Sequence, residues 1–303
     1  MALEDKLHAV IEASRLEAGI AISQIESGTR IEINGDLPFP MASVFKIPIL
    51  ATAGQQIAEG KLNLDTRITL NAEDKSAGSG ILPFFDAGLN PTVRDLLTLM
   101  IIISDNTATD MVVDLLGGTA CVESFMHSLG LTDIHFKMNC KQLLKNLFPP
   151  EIRDLSLAEI QAWDAENDIL RDSVVFKRNS ENNVSTASAM TTLVQKLHQG
   201  EIVTGAVQEE LLGIMLKQQL NNRLPRFMPP NIPFAHKTGT IAGVCNDSGV
   251  MTISDNNHVV ITVFTWWDDA EVRHKPDVSF SRIFEVESAI GSIARLAYEH
   301  FKE

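Results

Sequence analysis

The sequence predicts an α/β fold in which a helix-and-strand unit is interrupted by a long helical block. Three observations carry the prediction. Helix and strand patterns alternate through the first fifty residues, helical spacing dominates from Lys46 to about Leu220, and β-rich runs followed by one long helix occupy the end. Such an order assigns residues 1–50 and 231–303 to one discontinuous α/β domain and residues 51–230 to an all-α domain. The cleft between two such units is a natural place for a small ligand.

In chain order, Leu3, Leu7, Val10, Ile11 and Ala13 fall at helical spacing. Gly19 then opens Ile20-Ala21-Ile22-Ser23-Gln24-Ile25, which alternates like a strand, and Gly28 turns it back into Arg30-Ile31-Glu32-Ile33-Asn34 as a hairpin. Leu96, Leu97, Leu99, Met100, Ile101 and Ile102 mark a buried helix that ends just before Ser104. Further helices are expected over Ala108–Leu116, Val122–Leu129, Ala187–Leu197 and Val207–Leu216. After Pro229 and Pro230, strands are expected at His236–Thr240, Gly249–Ile253 and Val259–Phe264, with Asp255-Asn256-Asn257 as the polar turn between the last two. The closing helix carries Phe280, Ile283, Phe284, Ile290, Ile293 and Ala297 on one stripe.

Composition removes several function classes. With 25 Lys and Arg against 39 Asp and Glu, the net charge is −14. A chain that negative repels phosphate backbones and anionic lipid, and it contains no Lys/Arg-rich run, so neither nucleic acid nor a membrane surface is an expected partner. No apolar stretch reaches the length of a membrane span. The start, Met1-Ala2-Leu3-Glu4-Asp5-Lys6, reads as an amphipathic helix and not as a signal peptide. The expected compartment is therefore the cytoplasm, or the periplasm or exterior if a leader preceded this numbering. Cys121, Cys140 and Cys245 are odd in number and lack C-x-x-C spacing, which argues against a disulfide framework or a zinc site. The eight histidines are scattered and none forms H-E-x-x-H, so neither a metal nor another cofactor is expected.

Three short motifs carry the chemistry. Ser43-Val44-Phe45-Lys46 stands at the entrance of an apolar helical run, where positions three apart share a face and the amine can approach the hydroxyl. Serine needs a neighbouring base to act as a nucleophile, and lysine can serve only if burial or another cation lowers its pKa. Pro48 opposes this helix, because it lacks a donor and disfavours helical geometry at Ile47. Ser104-Asp105-Asn106 follows the buried helix. Its serine could relay a proton to a leaving nitrogen and its asparagine could hold a carbonyl and steady the lysine, whereas Asp105 or Asn106 standing alone is more often a plain helix cap. Lys237-Thr238-Gly239-Thr240 lies on a strand whose glycine lets another backbone come close and whose edge could pair with a substrate amide.

S-x-x-K, S-D-N and K-T-G in this order resemble the set of class A β-lactamases and penicillin-binding proteins. The flanking Phe39-Pro40-Met41-Ala42 and Ile47-Pro48, Thr107-Ala108, and His236 and Ile241 extend the likeness, which runs over most of the chain. The resemblance implies a class A β-lactamase-like fold: an antiparallel sheet flanked by terminal helices, plus an inserted all-α domain. It implies that Ser43 is acylated, that Lys46 accepts its proton and that Ser104 protonates the departing nitrogen. The backbone N–H groups of Ser43 and Thr240 would form the oxyanion hole. Asn106, Lys237, Thr238 and Thr240 would bind substrate, the last three at its carboxylate. Arg223, fourteen residues before Lys237, stands where some members carry a carboxylate-binding arginine, with Arg226 as the fallback.

One stretch departs from the family. Residues from about 136 to 183 run several helical turns longer than usual, with an atypical insertion at about 141–183, and contain no Glu-x-x-Leu-Asn. Where the deacylating glutamate is expected, the chain reads Phe136-Lys137-Met138-Asn139-Cys140-Lys141. Asp164, in Trp163-Asp164-Ala165-Glu166-Asn167, and Glu166 are weak substitutes. Ser156 with Glu159 reads as a capping box, and Leu157, Ile160, Trp163 and Leu170 as the stripe of an inserted surface helix. The only tyrosine, Tyr298, falls in the closing helix, so the chemistry is lysine-based and not that of the Tyr-base relatives. The expected function is a serine hydrolase acting through an acyl-serine, with β-lactams the leading substrates. The alternatives are a peptidase, esterase or acyltransferase with slow deacylation, acting on a small molecule or peptide bearing a carboxylate, and a non-catalytic ligand-binding module.

Overall fold

The computed structural model describes residues 2–153, 159–160, 163, 167–269 and 275–302. Strands β1 (Glu17–Gln24), β2 (Arg30–Ile33), β3 (Pro38–Pro40), β4 (Val184–Thr186), β5 (Phe234–Ile241), β6 (Val244–Ser254) and β7 (Asn257–Trp266) form two sheets. Five of them make an antiparallel sheet in the order β2-β1-β7-β6-β5, and β3 pairs with β4 alone. The edge position of β5 matters most, because among the described residues one of its sides has no strand partner.

Helix α1 (Leu3–Ala13) and the last helix cover one face of the sheet. Leu3 and Leu7 pack there with Ile20, Ile22, Ile261, Val263, Ile290 and Ile293. The other face carries the helical block: α2 (Lys46–Ala58), α3 (Val93–Ile102), α4 (Asn106–Leu116), α5 (Thr119–Ser128), α6 (Cys140–Lys145), α7 (Ala187–His198) and α8 (Gly205–Leu216). Ala21, Val250, Val260 and Phe264 of the sheet join the same hydrophobic cluster as Leu97, Met100, Met190 and Leu193. The helical block and the sheet therefore share a continuous core. Because both faces of β1 are covered, its polar residue Ser23 is buried too, and its hydroxyl donates to Gln195 of α7 at 3.0 Å.

Pro48 proves harmless. A 3-10 turn over Ala42–Phe45 precedes α2, so the proline falls in the first turn of the α-helix, where an N–H would have no partner within the helix. In the closing helix α9 (Pro276–Phe301), Ile290, Ile293 and Ala297 are buried as expected. Phe280 and Phe284 are not; they are 74% and 53% exposed, because the buried stripe runs through Val286, Ile290, Ile293 and Ala297 and the helical period turns both away from it. In the insertion, Asn139 caps α6 by accepting from Gln142 N at 2.9 Å. Trp163 stacks edge-on against Phe148 at 5.9 Å. Ser156 and Leu157 lie outside the described residues. Among the described residues no helix is long and apolar enough to cross a membrane.

Candidate active site

The edge strand β5 runs beside the turn that carries Ser43. Gly239 makes this approach possible: a Cβ there would stand 2.7 Å from Met41 O and 3.0 Å from Ser43 N. From β6, the Asn246 amide donates to Pro40 O at 2.8 Å and to Met41 O at 3.1 Å. The sheet thus grips the turn from two strands. Ala42, just before the nucleophile, has φ +44°, and Ser104 has φ +61°. Two residues with a Cβ in left-handed backbone, one beside a candidate reacting group and one carrying such a group, represent strain that the surrounding packing holds in place.

Asp105 fixes the second motif. One carboxylate oxygen caps α4 at Ala108 N (2.9 Å), and the other accepts from Ile81 N (2.7 Å) and Leu82 N (2.9 Å). Gly80, at φ +114°, packs so tightly on this carboxylate that a Cβ would meet it at 2.3 Å. Asn106 N donates to Ser79 O at 2.9 Å, and its side-chain amide donates to Ala77 O at 2.9 Å. The loop Ser76–Leu82 is therefore stapled to Ser104-Asp105-Asn106.

Lys46 is the hub. It is fully buried, and its Nζ lies 3.3 Å from Ser43 Oγ, 2.9 Å from Ser104 Oγ, 2.7 Å from Ser104 O and 2.9 Å from Asn106 Oδ1. Burial pushes its pKa below the usual lysine value, partly offset by Cys140, Asp110 and Asp105. A neutral amine has two N–H donors and one lone pair. The carbonyl of Ser104 and the Asn106 oxygen can only accept, so they take the two donors, and the lone pair is left for a serine hydroxyl. That is the arrangement a general base requires.

A cavity of about 220 Å³ opens beside this hub. Ser43, Asn106 and Thr240 line it, together with an apolar wall of Phe45, Cys140, Leu143 and Leu144. No carboxylate stands among its described lining residues. Asp164 and Glu166 lie outside the described residues. Asn139 is used as the cap of α6. Burial drives the Cys140 thiol far above its usual pKa, so it cannot supply a base. Tyr298 packs with the α1–α9 layer on the opposite face of the sheet.

The expected carboxylate ligands separate into two groups. Thr240 reaches the cavity, whereas Lys237 and Thr238 are buried and absent from its described lining. Lys237 Nζ donates to Thr238 O at 2.7 Å; burial and the nearby Lys46 charge hold its pKa well below normal, against the opposing pull of Asp247. Arg223 is not free to clamp a substrate carboxylate. It is 4% exposed, and its guanidinium donates to Gly239 O (2.7 Å), Asn246 O (2.8 Å) and the Thr240 hydroxyl while pairing with Glu287. The spacing put it beside β5, but buried carbonyls and Glu287 consume its donors. Arg226 fails as a fallback, since it stacks on Phe284 at 4.3 Å and is likewise absent from the described lining.

Sequence reasoning missed the Ser76–Leu82 loop, Asn246 and the apolar wall. Two glycines within Ser76-Ala77-Gly78-Ser79-Gly80 were the available signal for the loop. Nothing local marks Asn246, which acts across more than 200 residues of chain.

Fold and site together define a class: a serine hydrolase with a buried lysine amine beside the serine hydroxyl. Residues 2–301 match the model of the β-lactamase enzyme family, and the chain belongs to that family. It is 27% identical to β-lactamase VEB-1 of Pseudomonas aeruginosa, over 98% of this chain and 89% of that protein. Among solved structures, a β-lactamase from Chitinophaga pinensis matches with a TM-score of 0.79 at 26% identity, covering 98% of both chains. An ancestral class A β-lactamase superposes with a TM-score of 0.77 at 24% identity, over 99% of this chain and 100% of the other, which shows the class A fold. The enzyme is thus a serine β-lactamase-like hydrolase of class A fold acting on a small-molecule substrate.

Proposed function

We propose that this enzyme opens β-lactam rings by forming an ester on Ser43, and that hydrolysis of this ester limits its turnover. The supporting observation is the buried Lys46 amine in contact with both serine hydroxyls. In the forward step, neutral Lys46 takes the Ser43 proton while Oγ attacks the lactam carbonyl. The oxyanion that forms meets the N–H groups of Ser43 and Thr240, both at the cavity; one such donor is typically worth about 3 kcal/mol of barrier. As the C–N bond breaks, Ser104 gives its proton to the leaving nitrogen and recovers one from Lys46 at 2.9 Å. The substrate carboxylate lies toward Thr240, whose hydroxyl is backed by Arg223, with Lys237 behind the cavity surface. Asn106 divides its amide between Lys46 and Ala77, so it steadies the base.

The apolar wall of Phe45, Cys140, Leu143 and Leu144 supports slow release, because it offers an attacking water no carboxylate to deprotonate it. A lingering ester also leaves time for transfer to another acceptor, the peptidase, esterase or acyltransferase reading. Stopped-flow mixing with a chromogenic cephalosporin separates the steps. The expected trace is a burst of one product per active site followed by a slower linear phase, unchanged in Asp164→Asn and Glu166→Gln. Turnover that is linear from the start would contradict the slow second step. Collapse of the slow phase in either variant would give that carboxylate the base role.

A further inference from the structure

Away from the catalytic cavity, one cluster unites residues that the sequence left scattered. Glu123 and His127 stand four apart on α5, so they share a helix face, and His135 returns to them on the segment that bridges to Val184 of β4. One ligand atom from each of the three lies within 4.8 Å of the others. We propose that Glu123, His127 and His135 form a binding site for a divalent transition-metal ion, zinc by preference, with solvent completing its shell.

The chemistry fits in three respects. Two imidazoles and one carboxylate are a donor set that zinc and its neighbours favour over calcium or magnesium. His135 Nδ1 and Glu123 Oε1 are 3.0 Å apart. Cis ligands of an ion bound at about 2.0–2.1 Å stand about 2.9–3.4 Å apart, so this pair already has the right separation. Glu123 also presents its two oxygens separately, Oε1 toward His135 and Oε2 toward Lys137. Lys137 Nζ sits 2.6 Å from Glu123 Oε2 and acts as the built-in competitor, which the ion would displace or leave on the second oxygen.

The position gives binding a consequence. Lys137 N and Met138 N both donate to Asn183 Oδ1, and two residues further on Cys140 enters the wall of the catalytic cavity. An ion joining α5 to His135 would clamp the start of that wall segment.

The test titrates Zn²⁺ into metal-free full-length protein by calorimetry, with thermal melting in parallel. The expected result is one equivalent bound with a rise in Tm, and affinity reduced about tenfold or more in both His127→Ala and His135→Ala. His127→Ala is the primary variant, since His127 takes no part in the Glu123–Lys137 ion pair, and circular dichroism checks that it folds. Its Ser43 acylation in the absence of metal should equal that of the parent. Lack of binding by the parent, or binding that survives both substitutions, would overturn the proposal.

Discussion

At the scale of single residues, the proposed chemistry turns on the protonation state of Lys46. Its pKa lies below 10.5 because it is buried, so it is charged at pH below that lowered value and neutral above it. Acylation should therefore rise with pH through the lowered value and fall as pH drops, as measured by labelling rate against pH. Folded protein binds fewer protons at this site than unfolded chain between the two pKa values, so stability also declines as pH falls through that window. Lys46→Arg keeps charge but cannot deprotonate, and should lower the acylation rate roughly 10²–10⁴-fold while Ser43 remains present. Ser104→Ala removes a hydroxyl that lies 2.9 Å from Lys46 Nζ, and should slow acylation at the ring-opening step with the same order of loss. Rates unaffected by either change would remove the proton relay.

At the scale of elements, two contacts hold the site together. Gly239→Ala would push β5 off the turn of Ser43, because its Cβ would enter a space of 2.7 Å bounded by backbone. Acylation should collapse and Tm should fall, with the sheet retained by circular dichroism. Asp105→Ala removes a cap and leaves the Ile81 and Leu82 amides unpaired, at a cost of about 1–3 kcal/mol in denaturant unfolding. The elements themselves were largely legible, because each pattern was long. Alternation gave β1 and the final hairpin, and helical spacing gave α3, α4, α5 and α7. The meeting of Ser43, Lys46 and Ser104 was legible because three rare spacings occur in one order. The partners of Arg223 were not legible, since spacing along the chain cannot say which groups will take up a guanidinium's donors. The stripe of α9 was misplaced at Phe280 and Phe284, because both were read by apolar identity although the helical period turns them away from Val286 and Ile290.

At the scale of the whole molecule, the helical block and the sheet share one cluster, so they should not unfold separately. Far-UV and near-UV circular dichroism should trace one coincident transition; two separated transitions would mean the shared core contributes little. The same shared core keeps Ser43, on the helical side, in register with Gly239, on the sheet side. The measurement that tests this convergence most directly is intact-mass spectrometry of the protein mixed with a penicillin, followed by peptide mapping. The account predicts a single adduct with the mass of the whole β-lactam on Ser43, absent in Ser43→Ala. A parent protein that consumes or retains the penicillin with no adduct at any time, or with the adduct on another residue, would contradict it.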